Sequence, residues 1–128
     1  MLEAGRSLGE TLTGGEVIAL VGHLGAGKTH FSKGLINGIG GDSDGVTSPT
    51  FSLVNEYAAS TLSVYHFDFY RMETEDEVLK IGWEEYLDDE EAVVVVEWAD
   101  KFESLLPEET QWLNIEIAED GTRNITSR

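Results

Sequence analysis

Residues 22–29 read Gly-His-Leu-Gly-Ala-Gly-Lys-Thr, which is a complete G-x-x-x-x-G-K-[ST] phosphate-binding loop. The segment Glu16–Val21 before it is largely apolar and has the length of a strand, and Thr29–Asn37 after it has the apolar spacing of a helix. This strand–loop–helix context separates a binding loop from a chance glycine-rich turn. The sequence therefore predicts a nucleoside triphosphate site on an α/β fold.

The chemistry of such a loop comes from its backbone and its last two side chains. Glycines let the backbone N–H groups converge on phosphate oxygens at a helix N-terminus, where the helix dipole favours an anion. Lys28 can then reach the β- and γ-phosphates, and the Thr29 hydroxyl can ligate Mg²⁺. The predicted nucleotide-binding residues of this segment are Gly22, His23, Leu24, Gly25, Ala26, Gly27, Lys28, Thr29 and His30.

Length and composition limit the other classes of protein. The 128 residues suffice for one core, so we expect a single domain over residues 1–128. There is no cysteine, which excludes disulfides and thiolate metal sites and fits a reducing compartment. The longest apolar run, Ala92–Val96, is far shorter than the roughly 18 residues of a membrane span. With no apolar leader near the N-terminus, we expect a soluble, cytoplasmic protein.

The net charge of −17 arises from 25 acidic and 8 basic residues. Nucleic-acid binding depends largely on lysine and arginine, and the arginines here are scattered, so direct binding to nucleic acid is disfavoured. A basic protein partner is easier to accommodate. The densest acidic stretch, Glu84–Glu91, is either a solvated surface segment, which we favour, or a docking site.

The remaining elements follow from local patterns. We expect a first helix over Leu2–Thr13, closure of the loop helix by the glycines at 38, 40 and 41, strands over Phe51–Tyr57 and Leu62–Phe69, a capped helix from Thr74 to Ile81, a strand over Ala92–Trp98, and strands over Trp112–Ala118 and Arg123–Thr126. The short connections predict antiparallel hairpins, whereas the valine-rich strand should lie centrally under helices on both faces. The predicted fold class is a three-layer α/β P-loop NTPase fold with a mixed parallel/antiparallel sheet.

Two carboxylates are candidates for Mg²⁺ binding and hydrolysis, because parallel strands end at the edge that carries the loop. Glu97 ends the valine run, and Asp68 lies near the end of its own strand. The alternative for each is an ordinary strand-end surface carboxylate, although an acid buried beside valines without a partner would be costly. By alternation, His66 shares a face with Asp68. The histidines at 23, 30 and 66 form no ligand cluster, and we favour a structural role for them.

Three further residues have two readings each. Thr50 follows the polar segment Gly40–Ser48 and either orders around the γ-phosphate or, with Pro49, merely starts the next strand. Arg71 pairs with phosphate or with a neighbouring carboxylate. Trp98 flanks the nucleotide base or packs in the core.

The loop, Ser48-Pro-Thr-Phe51, His66-Phe-Asp-Phe-Tyr-Arg71 and Val96-Glu-Trp98 stand in an order and spacing that resemble the TsaE family. This is a family of small bacterial P-loop ATPases required for threonylcarbamoyladenosine biosynthesis in tRNA. The resemblance runs from about Leu2 to Arg123. It implies ATP hydrolysis with Mg²⁺ in a complex with two other proteins, of the TsaB and TsaD types, and action on those proteins rather than on tRNA directly.

The resemblance also implies roles for individual residues: phosphate and Mg²⁺ binding for Lys28 and Thr29, a switch-like loop around Thr50, metal binding and hydrolysis for Asp68 and Glu97, and proximity to the nucleotide for Trp98. Two departures stand out. His23 occupies a position that is usually acidic in the family, which changes the charge near the phosphates. The chain also begins near the point where family members have an upstream Thr that helps to enclose the nucleotide.

Other P-loop classes fit less well. A small-molecule or nucleoside kinase usually needs a basic lid, and Arg71 is the only basic side chain between Lys33 and Lys80. A GTPase would need a guanine motif that the chain lacks. A nucleotide-gated binding module, in which turnover is incidental, remains the alternative of another class. We expect slow hydrolysis by the chain alone, because no obvious arginine finger is present apart from Arg71.

Overall fold

Helices and strands alternate along the computed structural model, which describes residues 2–22, 27–41 and 54–127. The elements are α1 (Leu2–Gly9), β1 (Val17–Val21), α2 (Lys28–Ile39), β2 (Val54–Ala58), β3 (Ser63–Asp68), α3 (Glu75–Lys80), α4 (Trp83–Leu87), β4 (Ala92–Glu97), a 3₁₀ segment (Ala99–Leu105), β5 (Gln111–Ile117) and β6 (Arg123–Ser127). The strands form one sheet in the order β2-β3-β4-β1-β5-β6. β2 and β6 run antiparallel to their neighbours and the other pairs are parallel, which confirms the predicted mixed sheet.

The centre of the sheet is β4, whose residues are all buried. Val93 and Val95 point into one apolar cluster, whereas Val94 and Val96 point into the other. A strand covered on both faces needs side chains that are apolar at every position, which explains the uninterrupted valine run. The prediction of a central strand is confirmed.

Helices cover both faces of the sheet and make the three layers. α1 and α2 lie on one side, where Phe31, Leu35 and Ile36 of α2 pack on the sheet. On the other side, Val78 of α3, Trp83 of α4 and the 3₁₀ segment cover the second cluster. Because α2 follows β1 directly, its N-terminus lies at the edge of the sheet where β1 ends.

α1 and α2 approach each other so closely that their backbones are in contact. Each helix carries two glycines spaced by four, Gly5 and Gly9 on α1 and Gly34 and Gly38 on α2. A Cβ atom added at any of the four would overlap backbone atoms of the opposite helix. The absence of side chains at these positions is therefore what allows the two helices to pack at this separation.

Three local expectations need correction. The first helix ends at Gly9 rather than Thr13, and Gly38 lies inside α2, which Gly40 closes in the left-handed conformation with φ +105°. The acidic stretch keeps most of its acids exposed, as expected, but it overlaps the unpredicted helix α4, whose Tyr86 and Leu87 pack toward the core.

The predicted capped helix is confirmed, with Thr74 Oγ1 accepting from the Glu77 N–H at 3.3 Å. So are the two hairpins, β2–β3 and β5–β6. Within the described ranges, no helix has the length and apolarity needed to cross a membrane.

We expect Gly34→Ala to destabilise the protein, although alanine is the better helix former by about 1 kcal/mol. The new methyl group would overlap the carbonyl oxygen of Leu2, and relieving such an overlap typically costs about 1–3 kcal/mol. Urea unfolding followed by circular dichroism measures the change. Ser7→Ala on the exposed side of α1 is the control and should leave stability equal or slightly higher. A Gly34→Ala protein as stable as the wild type would contradict the close backbone contact.

Candidate functional site

The carboxylates of Asp68 and Glu97 end two neighbouring strands at the same edge of the sheet. In the register of β3 and β4, Asp68 is the direct partner of Glu97, and Leu20 of β1 pairs with Glu97 from the other side. Both acids are almost fully buried, with exposures of 2% and 3%. Neither is a strand-end surface carboxylate, so the structure excludes that alternative.

Lys28 opens α2 beside these carboxylates and is itself buried. Its Nζ donates to the carbonyl oxygen of Gly22 at 2.6 Å. Burial lowers the pKa of Lys28 from its ordinary value, while the negative charges of Glu97, Asp68 and Asp100 partly oppose this by raising it. The loop lysine therefore lies in the electrostatic field of the two predicted carboxylates and of a third acid.

Trp98 lies directly after β4 and has a left-handed backbone conformation, which residues other than glycine rarely adopt. Its φ of 58° is the only positive value at a non-glycine residue within the described part of the chain. This bend brings the indole ring against Lys28, whose Nζ is 4.4 Å from the ring centroid, and against Tyr70, whose ring centroid is 4.9 Å away. Residues in strained backbone regions cluster at functional sites, and this one touches the loop lysine.

His66 is wholly buried on β3 and contacts Glu97. Its Nε2 lies 2.6 Å from Oε2 of Glu97, which is short for a hydrogen bond between nitrogen and oxygen. Asp68 is also oriented, since its Oδ1 accepts the backbone N–H of Tyr70 at 2.8 Å. Both carboxylates are thus held by hydrogen bonds from β3 or the turn that follows it.

A cavity of about 610 Å³ opens beside the start of the loop. Its lining comes from the ends of β1, β4 and β5 and consists of Val21, Gly22, Trp98, Asp100, Asn114, Ile115, Glu116 and Ile117. The volume lies within the usual range of small-molecule sites. The cavity adjoins the predicted loop at Gly22 and the strained tryptophan.

The described residues therefore bring together Gly22, Lys28, Asp68, Glu97 and Trp98 of the predicted set. Gly27 and Thr29 stand beside Lys28 at the start of α2, and His30 is exposed on that helix. The predicted positions His23, Leu24, Gly25, Ala26 and Thr50 lie outside the described residues.

Sequence reasoning did not single out Asp100 or Tyr70, and it favoured a merely structural role for His66. Alternation along β3 was the available signal for His66, because that residue shares a face with Asp68. Asp100 follows Glu97 by three residues, but nothing in the sequence shows that the chain bends back at Trp98.

Comparison with known proteins identifies the family to which the chain belongs. A model of "Threonylcarbamoyl adenosine biosynthesis protein TsaE" matches residues 1–125. The chain belongs to the TsaE family. The family carries a P-loop nucleotide-binding fold and acts in tRNA threonylcarbamoyladenosine biosynthesis, so the resemblance seen in the sequence is confirmed.

Individual TsaE relatives cover most of the chain. The Bacillus subtilis (strain 168) tRNA threonylcarbamoyladenosine biosynthesis protein TsaE is 46% identical over 88% of this chain and 68% of the relative. The TsaE of Treponema pallidum (strain Nichols) is 39% identical over 95% of this chain and 88% of the relative. The crystal structure of Bacillus subtilis YdiB has a TM-score of 0.77 and 35% identity, covering 98% of this chain and 76% of that one.

The electrostatic coupling between Lys28 and Glu97 is directly measurable. Because the Glu97 charge raises the pKa of Lys28, we expect Glu97→Gln to lower that pKa further. NMR titration of the lysine ε-carbon, assigned through its absence in Lys28→Met, measures the shift. Glu84→Gln, on the exposed side of α4, should leave the Lys28 pKa unchanged. An upward shift in Glu97→Gln would contradict the arrangement.

Proposed function

We propose that this chain is a Mg²⁺-dependent ATPase that serves threonylcarbamoyladenosine biosynthesis through protein partners of the TsaB and TsaD types. Within the family role, the observation that carries the proposal is the buried Lys28 beside Asp68 and Glu97 at the end of β1. Lysine for phosphate and carboxylates for metal and water are the groups that phosphoryl transfer from ATP requires.

The residues present fit Mg²⁺. Asp68 and Glu97 offer hard oxygen ligands from adjacent register positions, and Thr29 lies in the first turn of α2. Over the described ranges, no group of three or more acids, histidines or cysteines forms a complete metal site, so phosphate oxygens would supply further ligands. When bound, Mg²⁺ would neutralise charge that develops on the phosphates.

The nucleotide would occupy the space from the loop to the cavity. The Lys28 ammonium group, which is hydrogen-bonded to the Gly22 carbonyl in the structure, would turn to the phosphates. The cavity would receive the base and ribose beside Trp98. This proposal favours the reading of Trp98 as a residue that flanks the nucleotide. Its indole is half-buried and already in contact with Lys28, so it would respond to a bound phosphate.

Partner dependence is proposed from charge and from the catalytic groups. With a net charge of −17, the chain would repel a tRNA backbone but would attract a basic protein surface. Arg71 is exposed on the turn after β3. A missing arginine finger can cost a factor of about 10³–10⁵ in rate, so we expect slow hydrolysis alone and faster hydrolysis with partners.

Lys28→Ala should weaken ATP binding at least about tenfold, because it removes the charged hydrogen-bond donor to the phosphates. Isothermal titration with ATP and Mg²⁺ measures the affinity, and circular dichroism checks the fold. Lys80→Ala, on the exposed end of α3, has the same change in charge and should bind normally. An unchanged ATP affinity in Lys28→Ala would contradict the assignment of this segment as the phosphate-binding loop.

Glu97→Gln should retain ATP binding and lose hydrolysis, since the amide cannot act as a carboxylate toward metal or water. Phosphate release is measured for the chain alone and with both partners, with Glu84→Gln as the control for the lost charge. Hydrolysis that rises on mixing and disappears in Glu97→Gln supports the proposal. Fast turnover alone, or transfer of phosphate to an added small molecule, would indicate a kinase and contradict it.

A further inference from the structure

The His66 imidazole is fully buried, and burying a polar ring is costly unless its nitrogens are hydrogen-bonded. Only one of its two nitrogens has a hydrogen-bond partner: within the described residues, Nδ1 is buried without one. The hydrogen bond that the described residues do provide is the 2.6 Å contact between Nε2 and Oε2 of Glu97.

The direction of this hydrogen bond follows from its acceptor. An ionised carboxylate can only accept, so with Glu97 charged the proton of this hydrogen bond lies on Nε2 of the ring. The His66 ring, which is carried by β3, then restrains the Glu97 carboxylate at the end of β4. The register of the two strands places His66 opposite Val95 and Asp68 opposite Glu97. His66, Asp68 and Glu97 therefore share the face of the sheet that α2 covers.

We infer that His66 is a positioning residue for Glu97: its Nε2–H holds Oε2 and so fixes the carboxylate in the orientation in which Oε1 serves metal or water. This inference rests on the proposed function, in which Glu97 takes part in hydrolysis. Partners that orient a ligand or base usually contribute on the order of 10–100-fold in activity or metal affinity. His66 is fully buried, so we assign it a role through Glu97 and no direct contact with the nucleotide.

The first test needs no nucleotide, and a variant serves only to assign the resonances. The ¹⁵N resonances of the histidine ring in the wild-type chain report which nitrogen carries the proton, and His66 is assigned by its loss in His66→Gln. A protonated Nε2 supports the inference. A bare Nε2 overturns it, because the ring then has no donor to offer Glu97.

The second test separates positioning from a structural role. His66→Leu should lower kcat for ATP hydrolysis, measured with the partners, on the order of 10–100-fold while the ATP Kd changes less than about threefold. His66→Gln, whose amide nitrogen can replace Nε2, should recover most of kcat. Tyr65→Phe removes a different β3 hydrogen bond, that to Asp89, and should leave kcat unchanged. Equal losses in Leu and Gln variants, or loss of ATP binding with kcat intact, would overturn the inference.

The two single variants, Glu97→Gln and His66→Leu, distinguish failure of this inference from failure of the proposed function. If Glu97→Gln alone keeps normal hydrolysis, the proposed role of Glu97 fails. If Glu97→Gln is inactive but His66→Leu is fully active, only the positioning role fails.

Discussion

The parallel pairing of β1 with β4 brings the loop lysine and Glu97 to the same edge of the sheet. It sets Leu20 opposite Glu97, so β1 delivers the chain to Gly22 and then to Lys28 at the edge where Glu97 ends its strand. The pairing of β4 with β3 adds Asp68 in the same row. Because parallel strands end together, one sheet edge collects a lysine and two carboxylates that are widely separated in the sequence.

The charged side chains at this edge of the sheet are buried away from water. Lys28, Asp68 and Glu97 are each at least 95% buried, and isolated burial of any of them would be strongly unfavourable. Each is compensated by a different neighbour: Gly22 and Trp98 for the lysine, His66 and the Tyr70 N–H for the carboxylates. These three side chains are therefore already held by neighbours within the protein, before any phosphate or metal is added.

The features predicted correctly from the sequence are those with a local cause. The valine run of β4 has one explanation, burial on both faces, and Thr74 caps α3 through bonds within one turn. The His66–Glu97 bond joins residues 31 apart and exists only in one strand register. The left-handed backbone of Trp98 could not be predicted, because a positive φ is uncommon at a non-glycine residue and no local sequence pattern signals it.

The prediction that Gly38 closes the loop helix was wrong for a related reason. Glycine ends helices more often than it joins them, so the sequence alone favours a terminator. Its role depends on the backbone of Arg6 and Gly9 of α1, which lies against it in the fold. In the same way, the acids of the segment Glu84–Glu91 obscured the periodicity of Trp83, Tyr86 and Leu87 that forms α4.

The contact of backbone with backbone between α1 and α2 also has a mechanical consequence. Interfaces made of long side chains can yield, because rotamers change while helices shift; this one has no such slack at its four glycines. A displacement of α2, whose first residue is Lys28, would break this backbone packing unless α1 moved with it. The exposed side of α1 is thereby coupled, through the glycine contacts, to the helix that begins with the loop lysine.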